Sequence, residues 1–160
     1  MSMSKAIVAY FSAGGMTRGV AEKLAGAIGA DLFEIVPAQR YTNADLDWSN
    51  TKSRSTVEMK DRASRPAIAS RVADMSGYDV VFVGFPIWWY REPSIIDTFM
   101  EAYDFSGKTI VPFATSGGSG LGEAPKNMQA LAGDAKVMGG KRFPVTTSAQ
   151  ELKAWAEAYL

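Results

Sequence analysis

"VAYFSAGGMTRGVAEKLAGAIGA", residues 8–30, changes its period halfway along. The apolar run at its start reads as a short buried strand over 5–11. That run breaks at Ser12-Ala13-Gly14-Gly15-Met16-Thr17. Over 17–28 a helical period takes over, with Val20, Leu24, Ala27 and Ile28 on one face and Gly29 as a stop. Hydroxyls and paired glycines between a buried strand and a helix raise the question of what the turn holds.

The rest of the chain repeats this alternation. Strands are expected over 31–36, over 78–84 ("YDVVFVG") and over 108–115 ("KTIVPFAT"), where Pro112 argues for a bulge or an edge. Segments 135–138 and 141–145 read as an interrupted fifth strand. Helices are expected over 93–103, with Pro93 near the first turn, and over 121–131. A final helix over 149–160 carries Leu152, Trp155, Ala156 and Tyr159 on one side. The polar insert 37–66 breaks the rhythm and is too long for a simple connection. A helix over 67–75 is expected to follow it. Strand and helix in alternation mean an α/β fold: a parallel sheet with helices on both faces, joined by right-handed crossovers. The 160 residues suit one domain, 1–160.

Composition removes much chemistry. The chain has 17 basic and 17 acidic residues, so no basic excess points to a nucleic-acid partner and no cationic stripe to a membrane. It has no cysteine and no histidine, which excludes disulfides, thiolate nucleophiles, Cys/His zinc sites and a Ser-His-Asp triad. Leu121 stands where Gly117-Gly118-Ser119-Gly120 would need a further glycine for a hydrolase elbow. No carboxylate cluster suggests a metal. No window is apolar and long enough to span a bilayer, and the start is too short for a signal peptide, so a cytoplasmic location is expected.

Three unusual loops leave the carboxyl ends of strands, where open parallel sheets bind ligands. In the first, Ser12 to Thr17, a helix N-terminus offers unpaired N–H groups to an anion. The turn has no lysine and matches neither the nucleoside-triphosphate nor the dinucleotide glycine pattern, so a phosphate monoester held by neutral donors fits best. A plain glycine turn capped by Thr17 explains it equally well in isolation. The second, Pro86-Ile87-Trp88-Trp89-Tyr90-Arg91-Glu92-Pro93, has three consecutive aromatics that cannot all enter one core. One tryptophan is expected to plug the core while the others cover something flat. The third, Thr115-Ser116-Gly117-Gly118-Ser119-Gly120, allows close backbone approach to a ligand edge.

"AYFSAGGMTRGVAEKLA", "YDVVFVGFPIWWYREP" and "YDFSGKTIVPFATSGGSGLG" resemble the short-chain flavodoxin family, and the similarity runs over essentially the whole chain. The resemblance implies a five-stranded sheet of order 2-1-3-4-5 that binds FMN at the switch point between its first and third strands. It implies that Ser12, Gly14, Gly15, Met16 and Thr17 hold the phosphate. Pro86, Ile87, Trp88, Trp89 and Tyr90 would flank the isoalloxazine ring, with Ser116, Gly117, Gly118 and Gly120 along its other edge. The family's phosphate loop commonly reads S-x-T-G-N-T. Here Gly14 replaces the threonine and Met16 the asparagine, so backbone N–H groups must supply most of the site.

The flavin carries the chemistry, and no catalytic residue is assigned. A one-electron carrier serving a redox partner protein or a small electron acceptor is the first expectation. Family members that act as carriers are usually strongly acidic. This neutral chain is therefore expected to have a less negative hydroquinone potential and weak salt dependence of docking. An NAD(P)H-dependent quinone reductase is the second, with Arg91, Arg40, Lys52 or Arg54 receiving substrate, although each alone reads as solvated surface charge. A flavin-free anion-binding module is the third. Trp48 is expected to anchor the insert to the core. Tyr41 either does the same or folds over the flavin.

Overall fold

A computed structural model describes residues 5–116 and 120–160. Its strands are β1 (Ala6–Tyr10), β2 (Asp31–Glu34), β3 (Val80–Pro86), β4 (Thr109–Thr115), β5 (Lys136–Val137) and β6 (Lys141–Phe143). Its helices are α1 (Met16–Ile28), α2 (Arg54–Lys60), α3 (Ser94–Ala102), α4 (Ala124–Leu131) and α5 (Ala149–Ala156), with 3₁₀ turns at Met75–Gly77 and Glu157–Tyr159. All strand pairings are parallel, in the order β2-β1-β3-β4-β5, and β6 also pairs with β4. The two short strands β5 and β6 together fill the fifth position. The expected order 2-1-3-4-5 is the observed one.

The period-2 pattern of the strands sorts their side chains onto two faces. Val8, Tyr10, Val80, Phe82, Val111 and Phe113 pack with α1 and α5, through residues such as Val20, Leu24 and Leu152. Ile7, Ala9, Phe11, Val81, Val83, Phe85 and Ile110 face α3 and α4, meeting Ile95, Phe99 and Met128. Each fully buried aliphatic of this kind contributes roughly 1.5–3 kcal/mol. β1 and β3 are therefore nearly continuous apolar runs, as a strand covered on both faces must be.

Two expectations fail. Pro112 makes neither a bulge nor an edge: β4 lies inside the sheet, and Pro112 pairs in register with Val83. On its other side β4 pairs with β5 only at Thr109 and Ile110, and with β6 only from Phe113 to Thr115. Pro112 falls in that gap, where no partner strand asks for the N–H it lacks. The helix expected over 67–75 does not form. The chain instead stays extended beside the end of β2: Ala38 N–H donates to the Ala67 carbonyl (2.8 Å) and Ala69 N–H to the Val36 carbonyl (2.7 Å). Ser70 Oγ accepts from Val36 N–H (2.9 Å) and donates to the Glu34 carbonyl (2.8 Å). The insert's helix lies earlier, as α2. Ser53 caps it by accepting from Thr56 N–H, and the Arg54–Glu58 pair at 2.9 Å braces its first turn.

Candidate functional site

The first loop is organised by Ser12. Its Oγ accepts from the N–H groups of Gly15 (3.0 Å) and Arg18 (3.2 Å), capping α1 from outside the helix. Gly15 sits at φ +90, a left-handed conformation that favours glycine, and this brings the chain into the helix at that angle. With two amides satisfied, those of Met16 and Thr17 still have no intrahelical acceptor. Ser12 acts here as an acceptor and keeps its own O–H proton to donate. Thr17 Oγ1 and Thr115 Oγ1 lie 2.7 Å apart in a buried pair, which ties this loop to the end of β4. Two hydroxyls have two protons and the pair consumes one, so the other is available to a ligand.

The second loop is a tight turn. Trp88 and Arg91 exchange backbone hydrogen bonds (3.0 and 3.2 Å), with Trp89 at φ +48 and Tyr90 at φ +65. Positive φ at both central residues is the geometry that normally selects Asn-Gly. Here it holds two bulky aromatics, at a cost of order 1–3 kcal/mol each. Gly122 secures the turn from the third loop. Its φ is +56, a Cβ there would lie 2.1 Å from the Tyr90 carbonyl oxygen, and the next residue, Glu123, donates its N–H to that oxygen at 3.1 Å.

The aromatics divide as expected, one inward and the rest outward. Trp88 packs edge-on against Phe11 (centroids 5.7 Å) and Tyr41 (5.5 Å), while Trp89 is 43% and Tyr90 75% exposed. Tyr41 anchors the insert. It packs against the core, donates to the Glu58 carboxylate and carries the Arg54 guanidinium 3.9 Å above its ring. Burial first, and the Glu58 bond second, hold its phenol protonated. Trp48 does the opposite of what was expected: at 78% exposure it anchors nothing.

Two of the charges expected to meet a substrate, Arg91 and Arg54, are otherwise engaged. Arg91 is buried, 3.5 Å from Glu92 Oε2 and 3.4 Å from Asp97 Oδ2, and donates to the Met59 carbonyl at 3.2 Å. Arg54 pairs with Glu58 and donates to the Gln39 carbonyl (2.7 Å). Arg40 and Lys52 are exposed. Glu92 is fully buried and accepts from Asn127 Nδ2 at 3.0 Å. Burial first, then the neighbouring Asp97 carboxyl, push it up to about 8. Arg65 as well as Arg91 faces Asp97 Oδ2, at 3.9 and 3.4 Å, while burial favours the protonated form of Glu92.

Among the described residues, two cavities open at this sheet edge. A smaller one of about 190 Å³ gathers Ser12, Gly14, Met16 and Thr17 of the first loop with Pro86 and Trp88 of the second and Thr115 of β4. A larger one of about 430 Å³ is walled by Ile87, Trp88, Trp89 and Tyr90 and, across from them, by Leu46, Trp48 and Ser55 of the insert. Leu46 and Trp88 belong to both. Gly15 sits at the α1 end beside the smaller cavity. Of the third loop, Ser116 is held through its carbonyl by Arg142 Nη1 at 2.8 Å, and Gly120 is exposed. Gly117 and Gly118 lie outside the described residues. Sequence reading missed Leu46, Ser55, Gly122 and Arg142. Only Gly122, just after the glycine loop, carried a signal for it.

The family profile described as Flavodoxin matches residues 5–159. A search of curated proteins gives no match. Among solved structures, a candidate flavoprotein of Bacteroides eggerthii is 48% identical, with 98% of each chain covered and a TM-score of 0.92. One from Bacteroides uniformis is 44% identical, covering 98% of this chain and 99% of that one, with a TM-score of 0.90. A flavoprotein of Lactobacillus acidophilus, solved in complex with FMN, is 22% identical over 96% of this chain and 99% of that one (TM-score 0.76), a likeness of fold alone.

Proposed function

We propose that this chain, which belongs to the flavodoxin family, binds FMN and passes electrons singly between it and a partner. The observation that carries the reading is the smaller cavity. It joins the first-turn amides of α1, which have no intrahelical acceptor, to Trp88 and the end of β4, at the switch between β1 and β3. The donor set suits a phosphate monoester. The Met16 and Thr17 amides, the Ser12 hydroxyl and one proton of the Thr17–Thr115 pair are all neutral donors backed by a helix dipole. Neither Gly14 nor Met16 needs a polar side chain for this. FMN supplies reversible one- and two-electron chemistry. The protein's part is to hold the phosphate, cover the ring with Pro86 to Tyr90 and leave an edge open.

The reductase reading is weaker. A nicotinamide dinucleotide brings two phosphates, and Arg54 and Arg91 are both committed to internal partners. An absorbance scan of the purified protein with added FMN tests the reading, followed by anaerobic stepwise reduction. Bound-flavin bands that fall in two resolved one-electron stages are expected. Bands that bleach in one stage with NAD(P)H would make it a reductase. No binding at micromolar FMN would leave an anion-binding module.

A further inference from the structure

We propose that the Met16 thioether is a reversible oxidation site: a peroxide converts it to the sulfoxide, and the new oxygen opposes a phosphate in the smaller cavity. What the switch regulates rests on the FMN reading; the selective oxidation of Met16 does not.

The Met16 side chain is the part of the first loop that the phosphate site leaves unused. Its amide is a donor, but its thioether is at most a weak acceptor. It is 66% exposed and belongs to neither core cluster, so packing does not account for a long apolar side chain there. Among the described residues it stands apart from the other methionines: Met59, Met75, Met100 and Met128 are buried, and Met138 is half-buried. Oxidation of a thioether follows access to the sulfur, so a peroxide is directed to Met16. The same side chain lines the cavity of about 190 Å³ together with Ser12, Gly14, Thr17 and Thr115. The product therefore forms among the donors assigned to the phosphate.

The step is a two-electron oxygen transfer. A sulfur lone pair attacks one oxygen of hydrogen peroxide, the S–O bond forms as the O–O bond breaks, and the departing hydroxide takes the proton of the transferred oxygen and leaves as water. Sulfur is oxidised and the peroxide reduced. A weak acceptor has become a strong one with partial negative charge. The first-turn amides of Met16 and Thr17 have no intrahelical acceptor, and the helix dipole favours negative charge beside them. The sulfoxide oxygen competes with a phosphate for these amides and repels it. No basic side chain lines the cavity among the described residues to offset that repulsion. Thiol-dependent methionine sulfoxide reductases reverse the change, removing the oxygen as water while a dithiol is oxidised to a disulfide.

FMN titration of the chain before and after hydrogen peroxide, followed by flavin fluorescence, is the test, with peptide mass mapping to locate the added oxygen. Met16 should gain oxygen at least about fivefold faster than Met59, Met75, Met100 and Met128, and more slowly when FMN is bound. The oxidised chain should bind FMN about fivefold to tenfold more weakly, and the two epimer-specific reductases together should restore the starting affinity. Its melting temperature should hardly move, because Met16 lies outside both core clusters. Met16→Leu, compared only with itself, should bind FMN equally before and after peroxide; Met1 and Met3 remain in that variant and serve as its control. Equal affinity of the parent chain before and after oxidation of Met16 would overturn the proposal. So would an equal loss in Met16→Leu, or oxidation of the buried methionines ahead of Met16. Failure of the untreated chain to take up FMN is seen before any peroxide is added; it overturns the FMN reading and the switch with it.

Discussion

Tyr90 shows most directly how one residue can serve a site against its own backbone. It is three-quarters exposed, so its burial contributes little, and it sits at φ +65, where a bulky residue is strained. Tyr90→Gly should therefore raise stability by about 1 kcal/mol in thermal or urea unfolding. The same change removes a wall of the larger cavity and should weaken any aromatic ligand there. Unchanged or lowered stability would mean that the turn is not strained. Gly122 is the counterpart, because a side chain there would collide with the Tyr90 carbonyl. Arg91 carries a related lesson. It follows three aromatics in the sequence and looks available to substrate, yet its guanidinium is buried against four acceptors, the Glu92 and Met59 carbonyls, Asp97 Oδ2 and Ser94 Oγ.

Among the elements, Glu92 joins the loops at this sheet edge to one another. It begins the segment leading into α3, meets Asn127 of α4, and shares Arg91 with Asp97, while Arg91 reaches the Met59 carbonyl of α2. The insert, the aromatic turn and the helix after the glycine loop thus meet at one buried cluster. Its proton has a predictable effect on stability. The ordinary Glu value is 4.5, and here burial and Asp97 raise it to about 8. The folded state therefore binds more protons than the unfolded one between those values. This contribution is fully present below pH 4.5, falls as pH rises toward 8 and is lost above it. Glu92→Gln mimics the protonated form and keeps a partner for Asn127. Its melting temperature should be flatter with pH across that window than that of the parent. Parallel profiles for the two proteins would count against a proton on Glu92.

For the whole molecule, charge balance is the relevant quantity. Seventeen basic and seventeen acidic residues leave no net field to steer a charged partner. Electron exchange with a partner protein should change by about twofold or less between low and physiological salt, where strongly steered pairs change by roughly tenfold or more. For the same reason the second one-electron potential of bound FMN should be less negative than in acidic carriers of this family, because no surplus of carboxylates opposes an anionic reduced flavin. A redox titration giving a second potential as low as theirs would falsify this. Stopped-flow mixing across a salt series checks the first half.

Local order along the chain specifies the alternation of elements and the parallel sheet. Those follow from short-range regularities: apolar runs in β1 and β3, the 3.6-residue period of α1, and the hydroxyls and glycines after β1. The interruption between β5 and β6 was legible for the same reason. Tertiary structure alone decided how side chains in the irregular segments are used. Trp48 and Tyr41 sit seven positions apart in one polar insert, yet one lies in solvent and the other under a guanidinium. No local pattern distinguishes them, since their surroundings come from Phe11, Trp88 and α2. Pro112 looked anomalous because its neighbour's gap is more than twenty residues away. Arg91 and Glu92 became a buried ionic cluster only when α2, α3 and α4 closed around them. Periodicity reports which face is covered. The packing of distant segments decides what covers it, and that assigned the site its walls.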